Sequence, residues 1–144
     1  MPAEADRIVL DTNVCLDLFV FEDPRCSTLH AALLAGEVIG VTDDACRDEW
    51  LRVLRYPQLG LDDAAREAAT ARFDACLQLQ ATVAGGAWAH PPRCRDPDDQ
   101  KFLELAVKSQ ARWLLTRDDH LLALARRTQR DGLFEILTPS AWMR

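Results

Sequence analysis

The chain has no unbroken apolar run approaching the roughly 20 residues that a membrane helix needs. Its opening residues are acidic and lack the basic and apolar regions of a secretory signal. The expected location is therefore the cytoplasm, with no membrane partner. Paired cysteines are missing too. None of Cys15, Cys26, Cys46, Cys76 and Cys94 forms a C-x-x-C pair or has a histidine at zinc-finger spacing. That excludes a zinc or disulfide framework, and most of the five read as small buried hydrophobes, with Cys26 and Cys94 open to exposure. Positive charge is not in excess either. A net charge of −6 excludes a uniformly basic nucleic-acid binder but leaves room for a local basic face. Repeats, low-complexity tracts and linkers are absent, so residues 1–144 are expected to form one domain.

What is present is unevenly distributed. Residues 1–50 hold 11 acidic and 3 basic side chains, whereas residues 51–144 hold 12 acidic and 14 basic ones. An acidic concentration suits a metal site, because hard cations take oxygen ligands. Short apolar runs that end in turn residues read as buried strands. They occur at Ile8-Val9-Leu10, at 38–42, at 112–116 and at 133–137, with a shorter candidate at 81–83. Between them, apolar spacing and stop signals predict helices over 14–20, 25–35, 43–54 and 62–80. Two more follow, one capped by Asp96 and running to about 109, the other over 119–128, while 85–95 reads as irregular. Alternating strands and helices predict a three-layer α/β/α sandwich around a mostly parallel central sheet.

Four carboxylates stand where apolar residues or buried strand ends are expected. Asp11 follows the first strand directly, at the end of a parallel sheet where ligands collect; alone, it also suits the N-cap of the next helix. Glu49 has Ala45, Cys46, Arg52 and Val53 as helical neighbours, which places it on or beside a buried stripe, with Arg52 or Arg47 as possible partners. Asp99 shares its helical face with Phe102, Leu103 and Ala106. Asp118 follows the strand at 112–116 as Asp11 follows its own, whereas Asp119 reads as a cap and His120 as a surface residue. Carboxylates that converge repel one another unless a cation offsets them. Oxygen donors with no cluster of His and Cys point to Mg²⁺ or Mn²⁺, one or two ions, able to assist attack on a phosphodiester.

The sequence around these residues resembles the PIN-domain family of metal-dependent ribonucleases, many of them toxins of bacterial toxin–antitoxin pairs. Val9-Leu10-Asp11-Thr12-Asn13-Val14 is similar to the opening motif, and Glu49 fits the helical glutamate. The run from Arg95 through Asp96-Pro97-Asp98-Asp99 into Phe102-Leu103-Glu104-Leu105-Ala106 resembles the third motif, and Leu115-Thr116-Arg117-Asp118 the fourth. With Ile136-Leu137-Thr138-Pro139 resembling the last strand, the likeness spans nearly the whole chain. It departs at His120, where some relatives carry another acidic residue that helps to hold a second metal. Asn13 argues against a haloacid-dehalogenase-type phosphatase, which needs aspartate there. The resemblance implies RNA hydrolysis with Asp11, Asp99 and Asp118 holding the metal and Glu49 completing the metal site, either as a ligand through water or by helping to deprotonate the attacking water. Asn13 and Thr116 would orient carboxylates, and Arg95, Lys101 and Arg117 would meet RNA phosphates. It also implies a small cognate antitoxin and a homo-oligomer, a dimer being the expected form. The competing expectations are a PIN-like RNA- or protein-binding module with little turnover, and a metal-dependent DNA nuclease or phosphatase.

Overall fold

Alternate residues of a strand face opposite sides of its sheet, and here both sets are apolar. The computed structural model describes residues 5–80 and 90–143 and shows a five-stranded parallel sheet with helices on both faces. The strands are β1 (Asp6–Leu10), β2 (Val38–Thr42), β3 (Leu77–Leu79), β4 (Trp113–Leu115) and β5 (Glu135–Leu137), in spatial order β3-β2-β1-β4-β5. Ile8, Leu10 and Leu115 join one core with residues of α1 (Thr12–Phe19), α2 (Ser27–Ala35) and α4 (Asp63–Cys76). Val9, Val41, Leu114 and Ile136 join the other, with α5 (Gln100–Lys108), α6 (Asp119–Leu122) and the start of α7 (Ala125–Arg130). The predicted α/β/α sandwich is therefore the fold. One helix, α3 (Asp44–Val53), serves both cores, giving Cys46 to the second and Trp50 to the first. Trp50 stacks on Phe73 at 5.2 Å, and Phe19 meets both rings edge-on. A last turn, α8 (Pro139–Trp142), sets Trp142 against Trp113.

The strand order explains why the helices divide between two faces. Parallel crossovers are right-handed. The chain moves outward from β1 through β2 to β3, then returns past β1 to β4 and β5. The reversal of direction puts the later helices on the opposite face. β1 and β4 are adjacent at that reversal, the position where open α/β sheets open a crevice at their carboxyl ends.

Several boundaries differ from expectation for physical reasons. The helix predicted over 62–80 stops at Cys76, because Leu77 turns extended and pairs with Gly40 of β2. The apolar spacing that suggested a continuing helix instead makes an edge strand. The strand predicted at 81–83 lies outside the described residues, as does the first part of the irregular stretch. The helix predicted over 119–128 is two short helices, α6 and α7. Pro97 opens a 3-10 turn, Pro97–Asp99, ahead of α5 rather than the helix itself. Cys26 and Cys94, expected to be open to exposure, are both buried.

Gly40 is where β2 is overlaid most closely. A Cβ there would stand 3.0 Å from the Cys76 carbonyl oxygen and 3.1 Å from Leu33 Cδ2, and would collide with the Leu77 side chain. Backbone cannot yield as a side-chain tip can, so Gly40→Ala is expected to cost about 1–3 kcal/mol. The check is urea unfolding, with a lower midpoint and an unchanged slope.

Candidate metal centre

Three short segments deliver aspartates to the carboxyl end of the sheet. Asp11 continues the β1–β4 ladder one residue beyond β1, its amide donating to the Leu115 carbonyl at 2.9 Å. It caps α1 as well, Oδ1 accepting from the Thr12 amide at 2.6 Å. Its Oδ2 accepts from the Thr116 hydroxyl at 2.7 Å and from Asn13 Nδ2 at 3.3 Å. That same Thr116 oxygen accepts from the Asp118 amide at 2.9 Å. One hydroxyl thus orients Asp11 and fixes the turn that presents Asp118. Asp118 caps α6 through the His120 amide at 2.7 Å, leaving its other oxygen free of that bond.

Asp99 is held differently. Asp96 caps the 3-10 turn by accepting from the Asp98 amide at 3.0 Å, so Asp99 is not needed as a cap and makes no capping bond. Its Oδ2 is buried and has no hydrogen-bond partner. Such an atom is costly unless something pairs with it. Asp11, Asp99 and Asp118 each offer a carboxylate oxygen, and these atoms all lie within 4.8 Å of one another.

The electrostatics follow from this crowding. Burial raises the Asp11 pKa, the bonds from Thr116 and Thr12 work against the rise, and Glu49 and Asp118 add to it. Burial also pushes Asp99 up, with the charges of Asp11 and Asp118 next, to about 7. A cation among the three would reverse both tendencies. An all-oxygen donor set with one oxygen already stripped of partners fits a hard divalent ion such as Mg²⁺ or Mn²⁺.

Glu49 lies close enough to raise the Asp11 pKa but is not one of the three converging carboxylates. Thr12 donates its hydroxyl to Oε2, the Lys101 ammonium sits 2.7 Å from Oε1, and Arg52 stands farther off at 3.9 Å. Arg47, the other expected partner, is engaged by Asp74 instead. Of the residues expected to meet RNA phosphates, Lys101 is thus committed to Glu49. Arg117 is bound to Asp17, Nε to Oδ2 at 3.0 Å, while its amide donates to Asn13 Oδ1 at 3.3 Å. Arg95 is exposed. Sequence reasoning passed over Asp17, which is buried and whose pKa burial raises against the pull of Arg117. The available signal was its position one helical turn after Asn13. Asn13 accordingly works in two directions, toward Asp11 and toward the segment before Asp118.

A parallel α/β sandwich with three buried or half-buried aspartates at its switch point defines a class of acidic, metal-fitting sites. Within that class, the sequence profile of the PIN domain matches residues 7–120, and the chain belongs to the PIN-domain family. Proteins of this family are generally nucleases and generally use divalent metals. No individually curated protein matches the chain.

Two outcomes follow from the geometry. Between the ordinary carboxylate range and about 7, folded metal-free protein holds a proton on Asp99 that the unfolded chain releases. This group's contribution to stability therefore falls as pH rises through that window. Metal-stripped wild type should lose more thermal stability than Asp99→Asn between about pH 5 and pH 8, and saturating Mn²⁺ should abolish the difference. Equal losses in the two metal-free proteins would contradict the assignment. Thr116→Val removes a donor to Asp11 and an acceptor for Asp118, and should weaken Mn²⁺ binding by about 10–100-fold in a direct titration.

Proposed function

We propose that this protein is an Mg²⁺- or Mn²⁺-dependent endoribonuclease and the toxin of a toxin–antitoxin pair. The observation that carries the reading is the convergence of Asp11, Asp99 and Asp118, with a buried Asp99 oxygen that has no hydrogen-bond partner. Asp11, Asp99 and Asp118 would hold the cation. When bound, it supplies positive charge that offsets the carboxylates and draws electron density from a phosphodiester.

The chain's own groups supply orientation and proton transfer. Thr116 and Asn13 fix the rotamer of Asp11, and preorganised dipoles of this kind act without reorganising during reaction. Glu49 stands beside the trio with its carboxylate fixed by Thr12 and Lys101, a placement that suits acceptance of a proton from the attacking water. Arg95, exposed on the segment that leads into the Asp96–Asp99 turn, would be a cation open to a phosphate. RNA as substrate is supported by the four motifs, which resemble those of the family's ribonucleases. The same resemblance supports a small antitoxin that covers the acidic site, and a dimer. Among the described residues no helix is long and apolar enough to cross a membrane, which is compatible with action on cytoplasmic RNA.

The test compares wild type with Asp11→Asn on structured RNA and on single-stranded DNA, with Mg²⁺ and with Mn²⁺. Wild type should cleave the RNA. Loss of one carboxylate from the site should slow it on the order of 100-fold or more, the rate equivalent of several kcal/mol of charge stabilisation. Equal rates in the two proteins, or no cleavage with either cation, would defeat the reading. Cleavage of DNA alone would transfer the site to a DNA nuclease.

A further inference from the structure

Both oxygens of Glu49 are occupied by donors of the protein itself. Thr12 bonds Oε2, and the Lys101 ammonium lies 2.7 Å from Oε1. That ammonium is no loose surface charge, because its side chain is only 19% exposed. It also donates to the Asp98 carbonyl, within the turn that presents Asp99, and packs 5.4 Å from the centre of the Phe102 ring. Lys101 therefore joins three parts of the site: its own helix α5, Glu49 of α3, and the 3-10 turn ahead of Asp99. A half-buried ammonium satisfied by two acceptors is poorly placed to recruit a phosphate, since it would first have to break both bonds. Among the described residues the other cation near Glu49 is Arg52, which is mostly exposed and 3.9 Å away, so it cannot substitute closely for Lys101.

A carboxylate left loose beside a divalent cation turns toward it, as hard cations readily take a further oxygen. We propose that Lys101 is a positioning residue that keeps Glu49 beside the Asp11–Asp99–Asp118 trio and out of it. The three aspartates would then supply a cation's carboxylate ligands, and Glu49 stays fixed, each oxygen keeping a second lone pair that can accept from the attacking water. This rests on the metal-dependent nuclease reading above, but its decisive measurement needs no turnover.

The experiment is ¹³C-carboxyl NMR of protein labelled at Asp and Glu, titrated with Mg²⁺ alone, with Glu49 assigned from Glu49→Gln. In wild type the Asp11, Asp99 and Asp118 signals should shift and the Glu49 signal should stay in place. In Lys101→Met the Glu49 signal should shift together with the aspartates, and Lys101→Arg should restore the wild-type pattern. A shifting Glu49 in wild type, or a stationary one in folded Lys101→Met, overturns the proposal; the wild-type measurement decides even where the variant fails to fold. If no aspartate signal shifts, the metal site itself is refuted, and the proposal with it. Shifting aspartates without RNA cleavage would instead refute the nuclease reading and leave the positioning role standing. In cleavage assays Lys101→Met should lower kcat by about tenfold or more with KM within about twofold. A raised KM with unchanged kcat would assign the ammonium to substrate contact and overturn the proposal.

Discussion

The hydrogen bond from the Asp11 amide to the Leu115 carbonyl, 2.9 Å long, is the contact on which the site depends. It carries the β1–β4 ladder one residue past the end of β1, fixing the backbone of Asp11 against the strand that leads to Thr116 and Asp118. Register in a sheet is strongly specified when both faces are buried, because a slip of one residue exchanges the faces. Here such a slip would take Ile8 and Leu10 out of one core and Val9 out of the other. The packing of two cores therefore sets the spacing of two carboxylates. Side-chain bonds refine that placement, with Thr116 linking Asp11 to the Asp118 amide and Asn13 linking Asp11 to Arg117.

Holding three carboxylates together opposes folding, and the structure shows where the opposition is left uncompensated. Asp11 receives three donors, and Asp118 caps a helix. Asp99 receives least, and it is the carboxyl driven up to about 7. Burial raises it most, and the like charges of Asp11 and Asp118 add to the rise in a carboxyl with few donors to offset it. That carboxyl is consequently where a cation gains most from displacing a proton, so the same burial that raises the pKa makes ion binding and pH interdependent.

Much of this was legible in the sequence because the signals were local. An apolar triplet ending in Asp11 is a strand end, and the Asp96-Pro97-Asp98-Asp99 run offers one cap too many, leaving Asp99 without a capping task. The illegible parts depend on partners distant in sequence. Leu77-Gln78-Leu79 continues a helical apolar pattern and becomes a strand because β2 lies alongside, with Gly40 opposite Leu77. Local propensity is a weak prior against such pairing. Likewise, the helical neighbours of Glu49 suggested Arg52 or Arg47, but the close partner, Lys101, comes from α5, where no spacing rule on α3 could find it. The pairing of Asp17 with Arg117 was missed for the same reason, the two being 100 residues apart.

The charge asymmetry of the chain gains a structural meaning from these pairs. The acidic first third and the more basic remainder are interleaved by the fold: Asp6 meets Arg112, Asp17 meets Arg117, Glu22 meets Arg72 and Glu49 meets Lys101. Most of these bonds are partly exposed and individually weak, so their importance lies less in stability than in where they end. Arg117 and Lys101 stand beside acids near the sheet's carboxyl end, whereas Asp6 and Arg112 meet at its amino end. Among the described residues, Asp11 and Asp99 have no ion-pair partner, and Asp118 has only His120, 3.9 Å away. Glu37, Asp43, Asp44 and Asp48 of the acidic half also lack an ion pair, but among the described residues only Asp11, Asp99 and Asp118 converge as a group of three. Like charges that converge without counter-charges build a negative field that attracts a cation. The site's fit to a cation thus rests on the convergence of three side chains, with the neighbouring acids Asp17 and Glu49 held by Arg117 and Lys101.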